Sequence, residues 1–267
     1  MTTLCRTACV LLVAAASFLA SPASSTSFSI DQSDLYYIPA ESGWGIQLVQ
    51  RGSVIFGTMF VYGPSNTPTW YVATMQFAGN FTWTGDLYAT TGPWFGAVPF
   101  NPANVAARKV GTMTWAAQTV ETGTLSYVVD GVAVTKNVVR QTLVFDDYSG
   151  TYLGALHITA TGCTNPADNA SGEIPFVTIS VIQSGSSISI AISVLGTSLL
   201  TISGTLSQSG QFGSILGAYT SDVGELGNAT VSAMNVQVNA LAATLLLNST
   251  NVGCQDAGYF AGMRSRP

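Results

Sequence analysis

Charge is what this sequence most lacks. Only 8% of its 267 residues are Asp, Glu, Lys or Arg, against about 25% in an average soluble domain. The 8 basic residues form no cluster able to neutralise a run of phosphates, which excludes nucleic acid as a partner. Histidine is nearly absent: His157 is the one imidazole, so a His/Cys metal site cannot be assembled. A Ser-His-Asp triad through His157 has no Gly-x-Ser-x-Gly nucleophile elbow to work with. No EF-hand or Asp-rich repeat surrounds Asp146-Asp147 or Asp222 and Glu225, the carboxylates closest to a calcium pattern. Helical periodicity is missing too, and residues 231–247, rich in Ala and Leu, are the one stretch where a helix fits. No metal, cofactor or catalytic residue is therefore assigned.

Cysteine is scarce and informatively placed. The opening stretch, MTTLCRTACVLLVAAASFLASPASS, has one positive charge at Arg6, an apolar run over about 8–20 and small residues near Ala20 and Ala23, the pattern of a signal peptide over 1–23. That run is shorter than the ~20 apolar residues of a spanning helix, and no later segment reaches that length. Cys5 and Cys9 would leave with the signal, and a flexible Ser-rich segment over 24–34 would follow. The two cysteines that stay, Cys163 and Cys254, are expected to pair in an oxidising compartment. Secreted, periplasmic or cell-surface residence follows from the same features.

What is abundant is β-strand grammar. Residues 41–73 hold three apolar runs separated by Arg51-Gly52 and by the GPSNTP turn at 63–68, an antiparallel meander. Strands are expected at 35–38 (an edge), 42–51, 54–62 (apolar on both faces, hence central), 69–75, 81–90, 110–116, 123–129 and 132–141, the last two joined at Asp130-Gly131. Five glycines and prolines make 91–107 a long loop. After Asp146-Asp147-Tyr148-Ser149-Gly150 the tryptophans stop while the rhythm continues, with strands expected at 151–160, 176–183, 187–194, 199–207, 212–219, 228–236, 240–248 and 258–263. The fold class is all-β. Two consecutive antiparallel up-and-down barrel-like or sandwich domains are expected, an aromatic-rich one over 35–146 and a Ser/Leu/Ile/Val-rich one over 147–267, since closure removes exposed strand edges. Many of these segments are only about 7–8 residues, short for the about 9–11 of a membrane-spanning strand, which sets an outer-membrane barrel aside.

Several short motifs carry a resemblance. ESGWGIQLVQ at 41–50, FVY at 60–62, PTWY at 68–71 and SYVVDGVAVTKNVVRQ at 126–141 resemble a module that recurs in exported bacterial proteins of uncharacterised function, over about residues 36–145. The resemblance implies export and an all-β domain and brings no catalytic residue or ligand. The strand rhythm of the second half is similar, more loosely, to calycin-like barrels such as avidins and lipocalins, an architectural likeness that assigns no function.

Three functional classes fit. The first is a non-catalytic binding module. Flat Trp and Tyr faces stack on sugars, and the first half concentrates Trp44, Trp70, Tyr71, Trp83, Trp94 and Trp115 with few charges between them. Most of these rings are expected in the core. A neutral ligand or glycan would meet Trp44, Tyr62, Trp70 and Trp94, with Gly43 and Gly45 leaving open space beside Trp44 and Trp94 facing solvent from its loop. The second is a secreted hydrolase using carboxylates such as Glu41, Asp86, Asp146 and Asp147. The third is a structural or self-assembling surface protein, suggested by low charge and many strands.

Overall fold

The computed structural model describes residues 31–265; the signal-peptide assignment lies outside them, as does most of the flexible segment expected at 24–34. The chain forms two closed eight-stranded antiparallel barrels in succession. Barrel 1 comprises β1 (Asp34–Tyr37), β2 (Gly45–Arg51), β3 (Val54–Tyr62), β4 (Pro68–Gly79), β5 (Thr82–Thr91), β6 (Ala106–Ala117), β7 (Thr122–Val129) and β8 (Val132–Arg140). Barrel 2 comprises β9 (Gly150–Thr161), β10 (Ala170–Ser184), β11 (Ser187–Val194), β12 (Thr197–Ser209), β13 (Phe212–Ser221), β14 (Leu226–Gln237), β15 (Ala240–Ser249) and β16 (Gln255–Arg264). The all-β, two-barrel expectation holds, and residues 231–247 form the β14–β15 hairpin rather than a helix.

Alternation decides what is inside. In β11 Ile188, Ile190 and Ile192 point into barrel 2 while Ser187, Ser189 and Ser193 face out. The outward residues hydrogen-bond across strands: Ser189–Ser203 at 3.2 Å, Ser207–Ser214 at 2.9 Å and Ser232–Thr244 at 2.8 Å. Barrel 1 is filled by Ile46, Leu48, Ile55, Met59, Met75, Trp83, Met113 and Trp115.

Three expectations are corrected. Residues 35–38 do not make an edge: β1 pairs with both β2 and β8 and so closes barrel 1. β3 is not buried on both faces, because Phe56, Phe60 and Tyr62 point to solvent. Several strands are longer than expected, β4 and β6 reaching 12 residues and β10 reaching 15, so length gives no reason to set a membrane barrel aside. The interior does, since membrane barrels are polar within and the inside of barrel 2 is packed with apolar side chains.

The two barrels open with the same construction. Asp31-Gln32-Ser33-Asp34-Leu35-Tyr36 and Asp147-Tyr148-Ser149-Gly150-Thr151-Tyr152 share the pattern Asp-x-Ser-x-x-Tyr. In barrel 1 the Gln50 amide accepts from Gln32 N–H (2.8 Å) and donates to the Gly52 carbonyl (3.0 Å), while Gln50 N–H donates to Ser33 Oγ (2.8 Å). In barrel 2 the Gln183 amide accepts from Tyr148 N–H (3.0 Å) and donates to the Gly185 carbonyl (3.4 Å), while Gln183 N–H donates to Ser149 Oγ (3.2 Å). Each tyrosine hydroxyl then donates to the carbonyl four residues back, Tyr36 to Gln32 and Tyr152 to Tyr148, at 3.1 and 3.0 Å. Each also lies under an arginine from the barrel's last strand, Arg140 over Tyr36 and Arg264 over Tyr152, at 5.1 and 5.2 Å from the ring centroids.

Arg140 also joins the barrels. Its guanidinium lies 4.7 Å from the Phe212 ring centroid, donates to the carbonyls of Val120 (2.6 Å) and Ser33 (3.1 Å), and pairs with Asp34 at 3.1 Å. Gln208 pins the linker by accepting from Asp146 N–H (2.9 Å) and donating to the Val144 carbonyl (3.0 Å). We propose that the halves are nonetheless separable near the expected boundary. Tyr148 is wholly buried in the barrel 2 core, so a chain beginning at 147 keeps its own core intact. Residues 147–267, expressed with the disulfide formed, should unfold in one cooperative urea transition, and a gradual loss of signal would show that barrel 2 depends on barrel 1.

Candidate functional site

The turn 37–45, the GPSNTP turn, the loop 92–105 and the Asp130-Gly131 hairpin all lie at the end of barrel 1 away from Arg140, which gathers the sequence-predicted ligand residues at one end. Antiparallel pairing sets Phe60 opposite Gly45 on one side and Trp70 on the other, with Tyr62 opposite Pro68. Tyr62 is therefore a diagonal neighbour of Trp70 on the outer face, and the two are 59% and 48% exposed. Thr58 and Val72 continue this surface along the strands. Large rings without adjacent charges form a flat apolar platform.

Trp44 is half-buried and donates its Nε1–H to Glu41 (3.1 Å). The open space expected beside it is filled at Gly45, where a Cβ would meet the Tyr36 carbonyl at 2.9 Å, while one on Gly43 would make ordinary contact with the Tyr62 ring at 3.8 Å. Gly45 lets β1 pack close. Trp94, 69% exposed, touches Phe95 at 5.4 Å between centroids and belongs to the same end of the barrel. Trp83 and Trp115 are core residues. Phe60, central to the platform, was missed by sequence reasoning because a fully apolar strand conceals which face is wet. Trp70, two residues after a Pro-rich turn and opposite it, was the available signal.

Around the barrel mouth the carboxylates are tied to cations. Glu41 accepts two bonds from Lys136 Nζ, at 2.7 and 2.8 Å. That partner, aided by Trp44, holds its pKa below the ordinary carboxylate range. Asp86 pairs with Lys109 at 2.7 Å and Asp130 with Arg108 at 2.6 Å. A general acid needs a raised pKa, and Glu41 has the opposite. Asp146 is raised by burial, opposed by its bond from Gln208, and Asp147 is lowered by Ser149; both belong to the linker. His157 lies on the outside of barrel 2, stacked on Tyr259 at 5.1 Å and facing Glu173 across the strand pair.

Two clefts border the linker. One of about 240 Å³ is bordered by Asp34, Leu143, Val144 and Gly210. The other, about 390 Å³, is bordered by Phe145, Asp147, Gln183 and Leu206. Among the described residues no group of three or more His, Cys, Asp or Glu is placed to hold a metal, and no helix is long and apolar enough to cross a membrane.

No family model and no curated protein matches the chain. Among solved structures it is similar to a "putative outer membrane protein" from Bacteroides fragilis, with 12% identity over 86% of this chain and 95% of that one, at a TM-score of 0.30. An agreement that slight bears on neither fold nor role.

Proposed function

We propose that this is an exported, non-catalytic β-barrel protein that binds a neutral ligand, a glycan being the fitting class, on the aromatic end of barrel 1. The observation that carries the reading is the outward placement of Phe60, Tyr62 and Trp70 on adjacent strands, where a globular β-barrel ordinarily presents polar residues. Ring faces stack on the C–H faces of sugars without needing charge. The Cys163–Cys254 disulfide supports residence outside the cytoplasm, in the secreted, periplasmic or cell-surface space that the sequence suggests. A hydrolase has less support, because Glu41 is locked to Lys136. Self-assembly through strand edges has less support as well, because both sheets close on themselves.

Trp70→Ala and Trp94→Ala are each expected to weaken retention on an immobilised polysaccharide by about 1–3 kcal/mol while changing stability by less than about 0.5 kcal/mol. Trp115→Ala, deep in the barrel, should instead cost about 3–5 kcal/mol of folding free energy in urea titrations. Unchanged retention by both surface variants across a panel of neutral polysaccharides would remove the aromatic platform as the site.

A further inference from the structure

The end of barrel 2 that carries the disulfide contains an unneutralised group of oxygens. Tyr219, Gly227 and Ser249 are lateral neighbours on β13, β14 and β15, and the alternation of each strand turns them inward. Asp256, in the next layer, pairs with Leu247 and Ala160 and also points in. Glu225 reaches the same place from the turn before β14, which is fixed by a bond from Glu225 N–H to Ser221 Oγ (3.1 Å) and one from Ser221 N–H to the Glu225 carbonyl (2.8 Å).

Asp256 is 5% exposed and Tyr219 2%. Asp256 Oδ1, Glu225 Oε1 and the Tyr219 hydroxyl are all shut off from solvent, and none of them makes a hydrogen bond. Ser249, beside the Tyr219 hydroxyl, uses its own hydroxyl elsewhere, donating to Asn251 Oδ1 (3.1 Å) and accepting from Val252 N–H (3.1 Å). Buried polar atoms are almost always satisfied, and leaving one unpaired is destabilising, a charge most of all. Three such oxygens around two carboxylates need a positive partner. The protein does not supply it: Arg264, the basic side chain among the described residues of barrel 2, lies at the opposite end beside Tyr152. The electrostatics carry the same signature. Burial, with the Glu225 charge beside it, lifts the Asp256 carboxyl to about 6, and burial lifts the Tyr219 phenol to about 12.

We propose that Asp256, Glu225 and Tyr219 form a binding site for a hard divalent cation of the calcium class. The donors are all oxygen, which suits calcium or magnesium rather than zinc or copper. Two carboxylates match a double positive charge. Calcium accepts irregular sets of oxygens at about 2.3–2.6 Å, whereas magnesium demands a near-ideal octahedron and keeps its waters, which a site closed to solvent does not favour. The loops that frame the group are held together by the Cys163–Cys254 bridge and by Thr164 N–H donating to the Val252 carbonyl (3.1 Å), so the ligands are preorganised. Sites in extracellular modules bind calcium at about 10⁻⁴–10⁻³ M, the range expected here.

The test is thermal unfolding of the intact, oxidised protein at pH 8 in EGTA and in 10 mM CaCl₂. Calcium should raise the midpoint by about 3–8 °C. The increment should shrink at pH 5, because a proton on Asp256 competes with the metal. Asp256→Asn and Glu225→Gln should abolish it. Tyr219→Phe removes only an unbonded hydroxyl, so it should fold normally and bind calcium more weakly. Terbium provides a second readout: tyrosine-sensitised emission should appear in the wild type, be displaced by calcium, and drop in Tyr219→Phe. A wild-type midpoint that is the same in EGTA and calcium at pH 8 overturns the proposal. So does a calcium increment of full size in Asp256→Asn.

Discussion

Replacing Arg140 by alanine should destabilise the protein by about 3–5 kcal/mol, the usual penalty for removing one partner of a buried ion pair. The side chain of Arg140 is fully buried, and its loss strands Asp34, the Val120 and Ser33 carbonyls and the faces of both Tyr36 and Phe212. Lysine cannot rescue it, because one ammonium cannot donate to Val120 and Ser33 while lying flat between two rings. The matched position in barrel 2 is the control. Arg264 bonds Tyr152 Oη at 2.7 Å from an exposed position, so Arg264→Ala should cost about 1 kcal/mol or less. Urea titrations of the two variants give the comparison directly; equal losses would mean that the contact between the barrels contributes little.

Removing the disulfide is expected to have a loss of similar size with a different distribution. Cys163 follows β9 and Cys254 precedes β16, the neighbouring strands that close barrel 2, 91 residues apart in sequence. Chain entropy puts the cost of opening such a loop at about 4–5 kcal/mol. In the Cys163→Ser/Cys254→Ser double variant the loss should fall on barrel 2, read from the tyrosines there, while tryptophan fluorescence, confined to barrel 1, keeps its own transition. If the tryptophan signal moves by the same amount, the two barrels unfold as one unit.

Much of the fold was legible because alternation is a local signal. The Ile-Ser repeat of β11 and the Asp130-Gly131 turn announce strand and hairpin with no tertiary information, and an even pair of cysteines in an exported chain announces a bridge. Closure was not legible. Leu35 and Tyr36 look like an edge, and only the register that sets Tyr36 against Arg140 shows that this strand completes the barrel. Strand lengths were underestimated where polar residues open a strand, as at residues 170–174, which precede the expected start at 176. The candidate site was half legible: composition and breakers pointed to Trp70 and Trp94. Sequence reasoning weighed Glu225 with Asp222, but it is Asp256, 31 positions on, that β16 turns inward beside it.

The matched openings of the two barrels bear on how the chain is made as well as on how it stands. Gln50 and Gln183 each accept from a backbone N–H and donate their own N–H to a serine Oγ, and these partners are delivered by segments of the same pattern. An unfolded chain therefore holds two keys and two locks of one pattern, and crossed pairings compete with the correct ones. Synthesis from the N-terminus resolves the competition by timing, because residues 31–140 emerge and can close before the second key exists. Refolding from denaturant presents both keys at once, the circumstance in which repeated domains misassemble, so material recovered that way should contain a kinetically trapped fraction that freshly synthesised protein lacks.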